Sequence, residues 1–540
     1  MSGVERATKL VSCTKLWHLP KDDPVSRLQT NVFPPRSALG SRGSKSMSVL
    51  ASRYIVSRSG VAPFAALMGV LVLASLAVVK GGLPLWIPGL AAMLSLVLLR
   101  WGPGGVAALG LVALVFVPFR SMFRYFGEDA GAPLAADFTR YATAAAVEAI
   151  RAGSLETRLS MALLFIAGMV LMLRRPYQLP RLNVLPWIGA YSCFAFASLI
   201  WSVDPALTAR KAVGVAAIFA FAAGVGGVFY PSKPSGERAF FRTLVWTGLA
   251  AGLLVLAVEV ASGEFNPLDP RWRLGRVGME NQTSWVTGLA FLVAYVTKGD
   301  RRVWGSSTLG TMLAISLALM TVATKSRFGW LGVGGGLIVA RLLTRKGLAR
   351  SFVQAMIAVL VLFVLAFSVD VRPYLTRAAS DEVTWNLSGR IPLWSRAWEL
   401  MASRSSLLSG GGYGAFWTGR VIPDLADLWV ATSAHGGYLD EIGGLGVVGL
   451  GLVLGTAYVS IRNGLRLLKI PEHATSGLVL ISMYTAVLLI NVGESLFQSI
   501  HSPPMVALWI MVFIVSRRRA DLRAVKVACV RGEALVRPHT

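Results

Sequence analysis

Apolar runs of roughly 17 to 20 residues, the length a helix needs to cross the hydrocarbon core of a bilayer, recur along this chain. About fourteen such spans are read, at 62–79, 82–99, 102–119, 158–173, 183–201, 211–229, 243–262, 283–297, 307–324, 328–344, 353–369, 436–460, 475–494 and 503–516. Backbone N–H and C=O groups find no water in lipid, so runs this apolar must satisfy themselves as helices. Only 15% of the residues are charged and 54% are hydrophobic. A soluble chain carries about 25% charged residues, so these charges are too few to cover a soluble surface. The expected fold class is an all-α polytopic membrane protein with about 12–14 transmembrane helices.

The formal charge of +26 would suggest nucleic acid in a soluble protein. No base-stacking or phosphate-binding module accompanies it here, so nucleic acid is not an expected partner. The basic residues gather instead in alternate loops: Arg174 to Arg181, Lys233 to Arg242, Lys298 to Arg302, Arg341 to Arg350, Arg462 to Lys469, and the tail from Arg517. The positive-inside rule puts all of these, and both termini, in the cytoplasm. The expected organisation is a disordered basic cytoplasmic tail over 1–60, a transmembrane bundle over 61–369, and an outer loop or cap over 370–435. Transmembrane helices over 436–516 and a cytoplasmic tail over 517–540 complete it. The outer loop holds an amphipathic stretch near Pro392 to Met401, the glycines Gly410 to Gly414, and the tryptophans Trp385, Trp394, Trp398, Trp417 and Trp429. Indoles are at home at a membrane interface, which favours a folded cap over disorder.

Cations on the outer side oppose the orientation bias and need a reason. Arg327, in Thr324-Lys325-Ser326-Arg327-Phe328, lies in a hairpin between two spans. It is either an interfacial anchor or, with Lys325, a holder of an anionic group such as a diphosphate, which suits a planar guanidinium fork. Arg271, Arg273 and Arg276 precede Gly278-Met279-Glu280-Asn281, and Arg390 opens the amphipathic stretch. Charge balance with Glu264, Asp269 and Glu280 is the plainer reading of the first three, and a solvated loop charge that of Arg390. The chain has five histidines. His435 stands where the outer loop re-enters an apolar span, either packed at the boundary or acting as a base or a substrate-binding imidazole.

Other signals are weaker. Gly332 and Gly336 have the spacing of closely packed helices, and Gly443, Gly444, Gly446 and Gly449 read the same way. The glycines at 410–414 read as a turn. Asn281 and Asn386 open chance-prone glycosylation sequons. The three cysteines show no pairing or metal spacing, and no cluster of metal ligands or nucleotide loop is visible, so neither metal nor cofactor is expected.

Four patches together resemble the O-antigen ligase and polysaccharide polymerase superfamily of bacterial inner membranes. They are Arg273-Leu274-Gly275 through Asn281; Ser326-Arg327; Gly389-Arg390 with Trp394, followed by Gly410 to Phe416; and His435-Gly436-Gly437-Tyr438-Leu439-Asp440, followed by Gly446 and Gly449. The resemblance covers about residues 180–516. Gly436 stands where the family usually has Asn, and Glu280 where it often has Pro.

The resemblance implies a C-type glycosyltransferase-like bundle with a large periplasmic loop, working without nucleotide sugars. It implies transfer of a glycan from undecaprenyl diphosphate to an acceptor hydroxyl at the outer face, which is polymerisation when the acceptor is another lipid-linked repeat. With lipid A-core as acceptor the same site is an O-antigen ligase. Arg327 and Arg273 would then bind the diphosphate with Arg276 and Lys325 beside them, Arg390 would position the donor, and His435 would bind or deprotonate the acceptor. Membrane lipids, a flippase and a chain-length regulator are the further partners implied. A lipid-linked oligosaccharide flippase is the alternative of a different class; it would place charges in mid-span, and Glu259 and Glu494 lie near span ends instead.

Overall fold

The computed structural model describes residues 164–169, 171–172, 182–229, 235–275, 280–344, 390–403, 406–419, 433–499 and 502–530. Two compact units divide the chain, Met1–Ala77 with Asp521–Thr540, and Val78–Ala520. The first contributes only the end of one helix to the described residues, so the fold below is that of the second. The spans expected at 62–79, 82–99, 102–119 and 353–369, the tail at 1–60, and Trp385 and Trp429 lie outside the described residues.

Among the described residues every regular element is helical. In chain order these are α1 (Leu185–Ala197), running into a 3-10 turn at Ser198–Ile200, α2 (Pro205–Val228), α3 (Ser235–Ala261) and α4 (Glu280–Thr297). Next come α5 (Arg301–Trp304), α6 (Ser307–Ala323), α7 (Arg327–Thr344), α8 (Arg390–Ser403) and α9 (Phe416–Gly419). The last are α10 (Gly437–Leu468), α11 (Ala474–Ile490) and α12 (Pro503–Val530). Pro205–Val228, Gly236–Ala261 and Gly437–Leu468 are long and apolar enough to cross a membrane, and Leu185–Ile200, Ser307–Ala323 and Ala474–Ile490 are shorter apolar helices. The protein is an all-helical membrane protein.

Helix starts follow capping chemistry more than hydropathy. α2 begins six residues before its apolar run, because the Asp204 side chain accepts the Leu207 N–H ahead of Pro205. Ser306 caps α6 in the same way through the Leu309 N–H. α12 continues past the apolar window as far as Val530, since a helix needs no apolar face once it leaves lipid. α7 and α11 pack at the spacing read from sequence: a Cβ on Gly332 would lie 2.6 Å from the Ala486 carbonyl oxygen, and one on Gly336 2.7 Å from that of Ser482. At the bundle end where α3 begins, buried Glu237 accepts from Arg518 of α12 and from Ser476 of α11, joining three helices.

The amphipathic stretch is helix α8, which buries Leu393, Ala397, Leu400 and Met401 against Phe416, Trp417 and Ala434. Beyond it lies a departure from the sequence reading. The run 436–460 reads as one unbroken span, yet α10 is broken at Gly446, with φ 69° and ψ −171°. A break in lipid exposes backbone groups that must find partners. Here the segment 406–414 supplies them: the Gly411 and Gly412 N–H groups donate to the Gly443 and Gly444 carbonyls at 2.8 and 2.9 Å, and the Val447 N–H donates to the Leu407 carbonyl at 2.8 Å.

Gly446 has no room for a side chain, since a Cβ would lie 2.1 Å from the Leu408 carbonyl oxygen. With the left-handed backbone penalty added to this clash, Gly446→Ala is expected to lower stability by about 2 kcal/mol or more. Gly451→Ala, where a Cβ meets nothing within 4 Å, should stay within about 0.5 kcal/mol of the parent. Unfolding of the detergent-purified proteins measures both.

Candidate functional site

The C-terminal ends of α3, α6 and α11 and the starts of α4, α7, α8 and α10 meet at one end of the bundle. The loop after α3 is fastened first. Trp272 and Leu274 turn into a core with Val255 and Val258 of α3, and the Leu274 N–H donates to the Ala323 carbonyl at 2.9 Å. Glu259, fully buried near the end of α3, accepts the Gly275 N–H at 2.6 Å. Arg273 lies between these two anchors, and its Nη2 donates to Oδ1 of Asn281 at 3.2 Å.

Asn281 is the next junction. Its Oδ1 also accepts from the Ser326 hydroxyl at 3.1 Å, and its Nδ2 donates to Oε1 of Glu494 at 2.8 Å. The hairpin before α7 turns through Lys325, a non-glycine residue at φ 49°. Lys325 Nζ donates to the Pro270 carbonyl at 2.9 Å, which ties the hairpin to the Arg273 loop. Arg327 begins α7 between two residues that touch this network, Ser326 on one side and Phe328 on the other. The Phe328 ring carries the Arg390 guanidinium 5.1 Å from its centroid.

Arg390 and Trp394 stand one turn apart on α8. Arg390 Nη2 pairs with Glu494 Oε1 at 2.9 Å, and Nη1 donates to the Gly493 carbonyl. Trp394 Nε1 donates to the Ala434 carbonyl at 2.7 Å. The loop between α8 and α10 therefore hangs on the same helix as Arg390. Its other fastenings are the Asp440 carboxylate, which accepts the Ala434 N–H at 2.6 Å, and the Ser433 hydroxyl, which accepts the His435 N–H at 3.3 Å. His435 itself takes φ 47°. The Gly437 N–H, at the start of α10, donates to the carbonyls of Asn491 and Glu494 at 2.8 and 2.9 Å.

Burial pushes the Glu494 carboxyl up, with Arg390 and then Arg273 pulling it back. Burial first, and the Arg390 guanidinium second, push the His435 imidazole down to about 4. The imidazole is therefore neutral at physiological pH and lies within electrostatic reach of Arg390.

Of the residues singled out in the sequence, Arg273 and Arg390 are joined through Asn281 and Glu494, and His435 lies within electrostatic reach of Arg390. Arg327 is flanked by contacts of the same network, while Lys325 is engaged at its margin. Arg276 lies outside the described residues. Glu494, Asn281, Asp440 and Trp394 were not singled out as site residues. Three of them stand inside the quoted motifs, and Glu494 is a buried acid beside an apolar run; those were the available signals.

Residues 312–454 match the family described as O-antigen ligase. That segment holds Lys325, Arg327, Arg390 and His435, while Arg273, Asn281 and Glu494 reach the site from outside it. Over 303 residues the chain is 26% identical to the exopolysaccharide production protein ExoQ of Rhizobium meliloti (strain 1021), across 50% of this chain and 64% of that protein. It thus spans just under two thirds of the length of this curated relative. Both matches are similarities to the same O-antigen ligase and polysaccharide polymerase proteins that the four patches resemble.

The depressed histidine has a consequence for stability. His435 titrates near 4 when folded, against 6.5 ordinarily, so below 6.5 the unfolded chain binds the proton more readily. Stability from this group is complete above pH 6.5 and is lost progressively as pH falls through about 4. Unfolding measured between pH 4 and 7 should show His435→Gln to be less acid-sensitive than the parent in this window.

Proposed function

We propose that this chain is an inner-membrane glycosyltransferase that moves a glycan from undecaprenyl diphosphate to an acceptor hydroxyl at the outer face, polymerising exopolysaccharide or O-antigen repeat units. The observation that carries the reading is the network that joins Arg390 to Arg273 through Glu494 and Asn281, with the neutral imidazole of His435 within electrostatic reach of Arg390. The orientation draws support from the basic side chains of Lys298, Arg301, Arg302 and Arg341, on helix ends away from the site, which the positive-inside rule assigns to the cytoplasm.

In this reading Arg273, Arg327 and Arg390 hold the diphosphate, with Arg276 and Lys325 as further binding residues. The bond from the sugar anomeric carbon to the diphosphate oxygen breaks, and a bond from that carbon to the acceptor oxygen forms. The hydroxyl proton passes to His435, and the charge left on the diphosphate is stabilised by the guanidiniums. A bound diphosphate also offsets the positive field of Arg390, which raises the basicity of the imidazole when the donor is present. No nucleotide sugar is needed, because a lipid diphosphate whose charge is held is already a good leaving group. The bundle would be of the C-type glycosyltransferase kind, with both termini in the cytoplasm and a flippase and chain-length regulator as partners. Glu259 and Glu494 brace loops instead of lining a mid-span path, which favours an enzyme over a flippase.

The polymerase reading draws on the exopolysaccharide relative. The family description favours a second reading, ligation of the glycan to lipid A-core by the same site. Deleting the gene and resolving extracted glycans on a gel separates the two: loss of a polymerase leaves single repeats, and loss of a ligase leaves long chains on the carrier and none on lipid A. An unchanged profile rejects both. In a complemented strain His435→Ala should lower product by about 100-fold or more while the protein still accumulates in the membrane. Arg327→Lys should lower it by about tenfold, because Lys keeps the charge and loses the fork. Normal product from His435→Ala removes the imidazole from the mechanism.

A further inference from the structure

We infer that Asp440 and Trp394 are positioning residues that clamp the peptide unit before His435 and so fix where the imidazole meets the acceptor. The inference rests on the role of His435 proposed above. Ala434 is held at both of its backbone polar groups, its N–H by the Asp440 carboxylate at 2.6 Å and its carbonyl by Trp394 Nε1 at 2.7 Å. Asp440 and Ala434 are both fully buried. His435 then takes a left-handed φ of 47°, which a non-glycine residue adopts at a cost. That conformation persists only where its surroundings over-determine it. The residues that follow have no slack either: a Cβ on Gly436 would lie 3.3 Å from Trp394 Nε1, and one on Gly437 1.9 Å from Asn491 Oδ1.

The two holders come from different helices. Asp440 sits in the first turn of α10, and Trp394 sits on α8, one turn from Arg390. The clamp therefore references the imidazole to the helix that carries a proposed donor-binding guanidinium. Both act through the Ala434 peptide, and neither needs to touch substrate. What they set is a distance between proton acceptor and sugar, and misplacement of about 1 Å in such a geometry can cost on the order of 100-fold in rate.

The test uses the full chain in membranes of a strain deleted for its own copy. It measures consumption of the endogenous lipid-linked glycan and inhibition of that reaction by added undecaprenyl diphosphate. Asp440→Ala and Trp394→Phe should each slow turnover by about tenfold or more while the inhibition constant of undecaprenyl diphosphate stays within about twofold. Asp440→Asn keeps an oxygen acceptor for the Ala434 N–H and should remain within about threefold of the parent rate. Parent rates in both Asp440→Ala and Trp394→Phe overturn the inference. So does a loss expressed wholly as weaker inhibition by undecaprenyl diphosphate, or an Asp440→Asn rate as low as that of Asp440→Ala. If Asp440→Ala does not accumulate, Trp394→Phe and Asp440→Asn decide by the same criteria. A His435→Ala protein that keeps its product sinks the proposed function itself, whereas parent rates in the clamp variants beside an inactive His435→Ala sink only the clamp.

Discussion

A guanidinium can leave water only where its donors find acceptors, and Glu494 is the acceptor on which this end of the bundle closes. One carboxylate oxygen receives both Arg390 and Asn281, while the backbone carbonyl of the same residue receives the Gly437 N–H that starts α10. Helices α4, α8 and α10 are thereby fixed to the turn after α11 through a single residue. Separating a buried pair of this kind costs on the order of 3–5 kcal/mol, because the remaining charge has no solvent to return to. The relative placement of Arg273, Arg390 and His435 is thus set by structure already present in the chain, before any ligand arrives.

The same logic explains where the buried acids lie. Glu259 and Asp440 are fully buried, and each accepts a backbone N–H from a loop that carries a functional candidate, Gly275 in one case and Ala434 in the other. Non-helical backbone at the edge of a membrane bundle leaves donors that neither lipid nor a helix can satisfy. A carboxylate on the adjoining helix solves that problem and fixes the loop at the same moment. The break at Gly446 is solved with backbone instead, the glycine turn at 410–412 supplying donors to the carbonyls that the helix abandons.

Much of this was legible in the sequence. The apolar runs located the helices over 185–344 and 437–516, the period of the Pro392–Met401 stretch identified α8, and the motifs around Arg273, Arg327, Arg390 and His435 pointed to the helix ends that meet near Glu494. Two things were not legible. The continuous hydropathy of 436–460 hides the break at Gly446, because a glycine in an apolar run reads the same whether it packs or turns; the φ of 69° depends on the segment 406–414, some forty residues away in the chain. The bracing role of Asp440, Glu259 and Glu494 was hidden for the related reason that an acid near a span end carries no mark of its partner. Only the fold brings Glu494 to Arg390, 104 residues earlier. Lys325 was legible as an outer cation, but its bond to the Pro270 carbonyl, which ties the hairpin to the Arg273 loop, was not.

An imidazole that titrates near 4 would be a weak base if nothing changed during turnover. Part of that depression comes from Arg390, however, and an anion bound to Arg390 cancels that part. The coupling is reciprocal: if a diphosphate raises the proton affinity of His435, a proton on His435 raises the affinity for diphosphate by the same factor. On the proposed reading, the imidazole gains basicity only when a donor is in place, so the acceptor is not deprotonated in an empty site. On the same reading, once the proton has been taken, the imidazolium and the guanidiniums would together hold the departing diphosphate while its bond to the sugar breaks. Release of the spent carrier then follows loss of that proton to water, which restores the neutral histidine and the field of Arg390 that keeps it neutral.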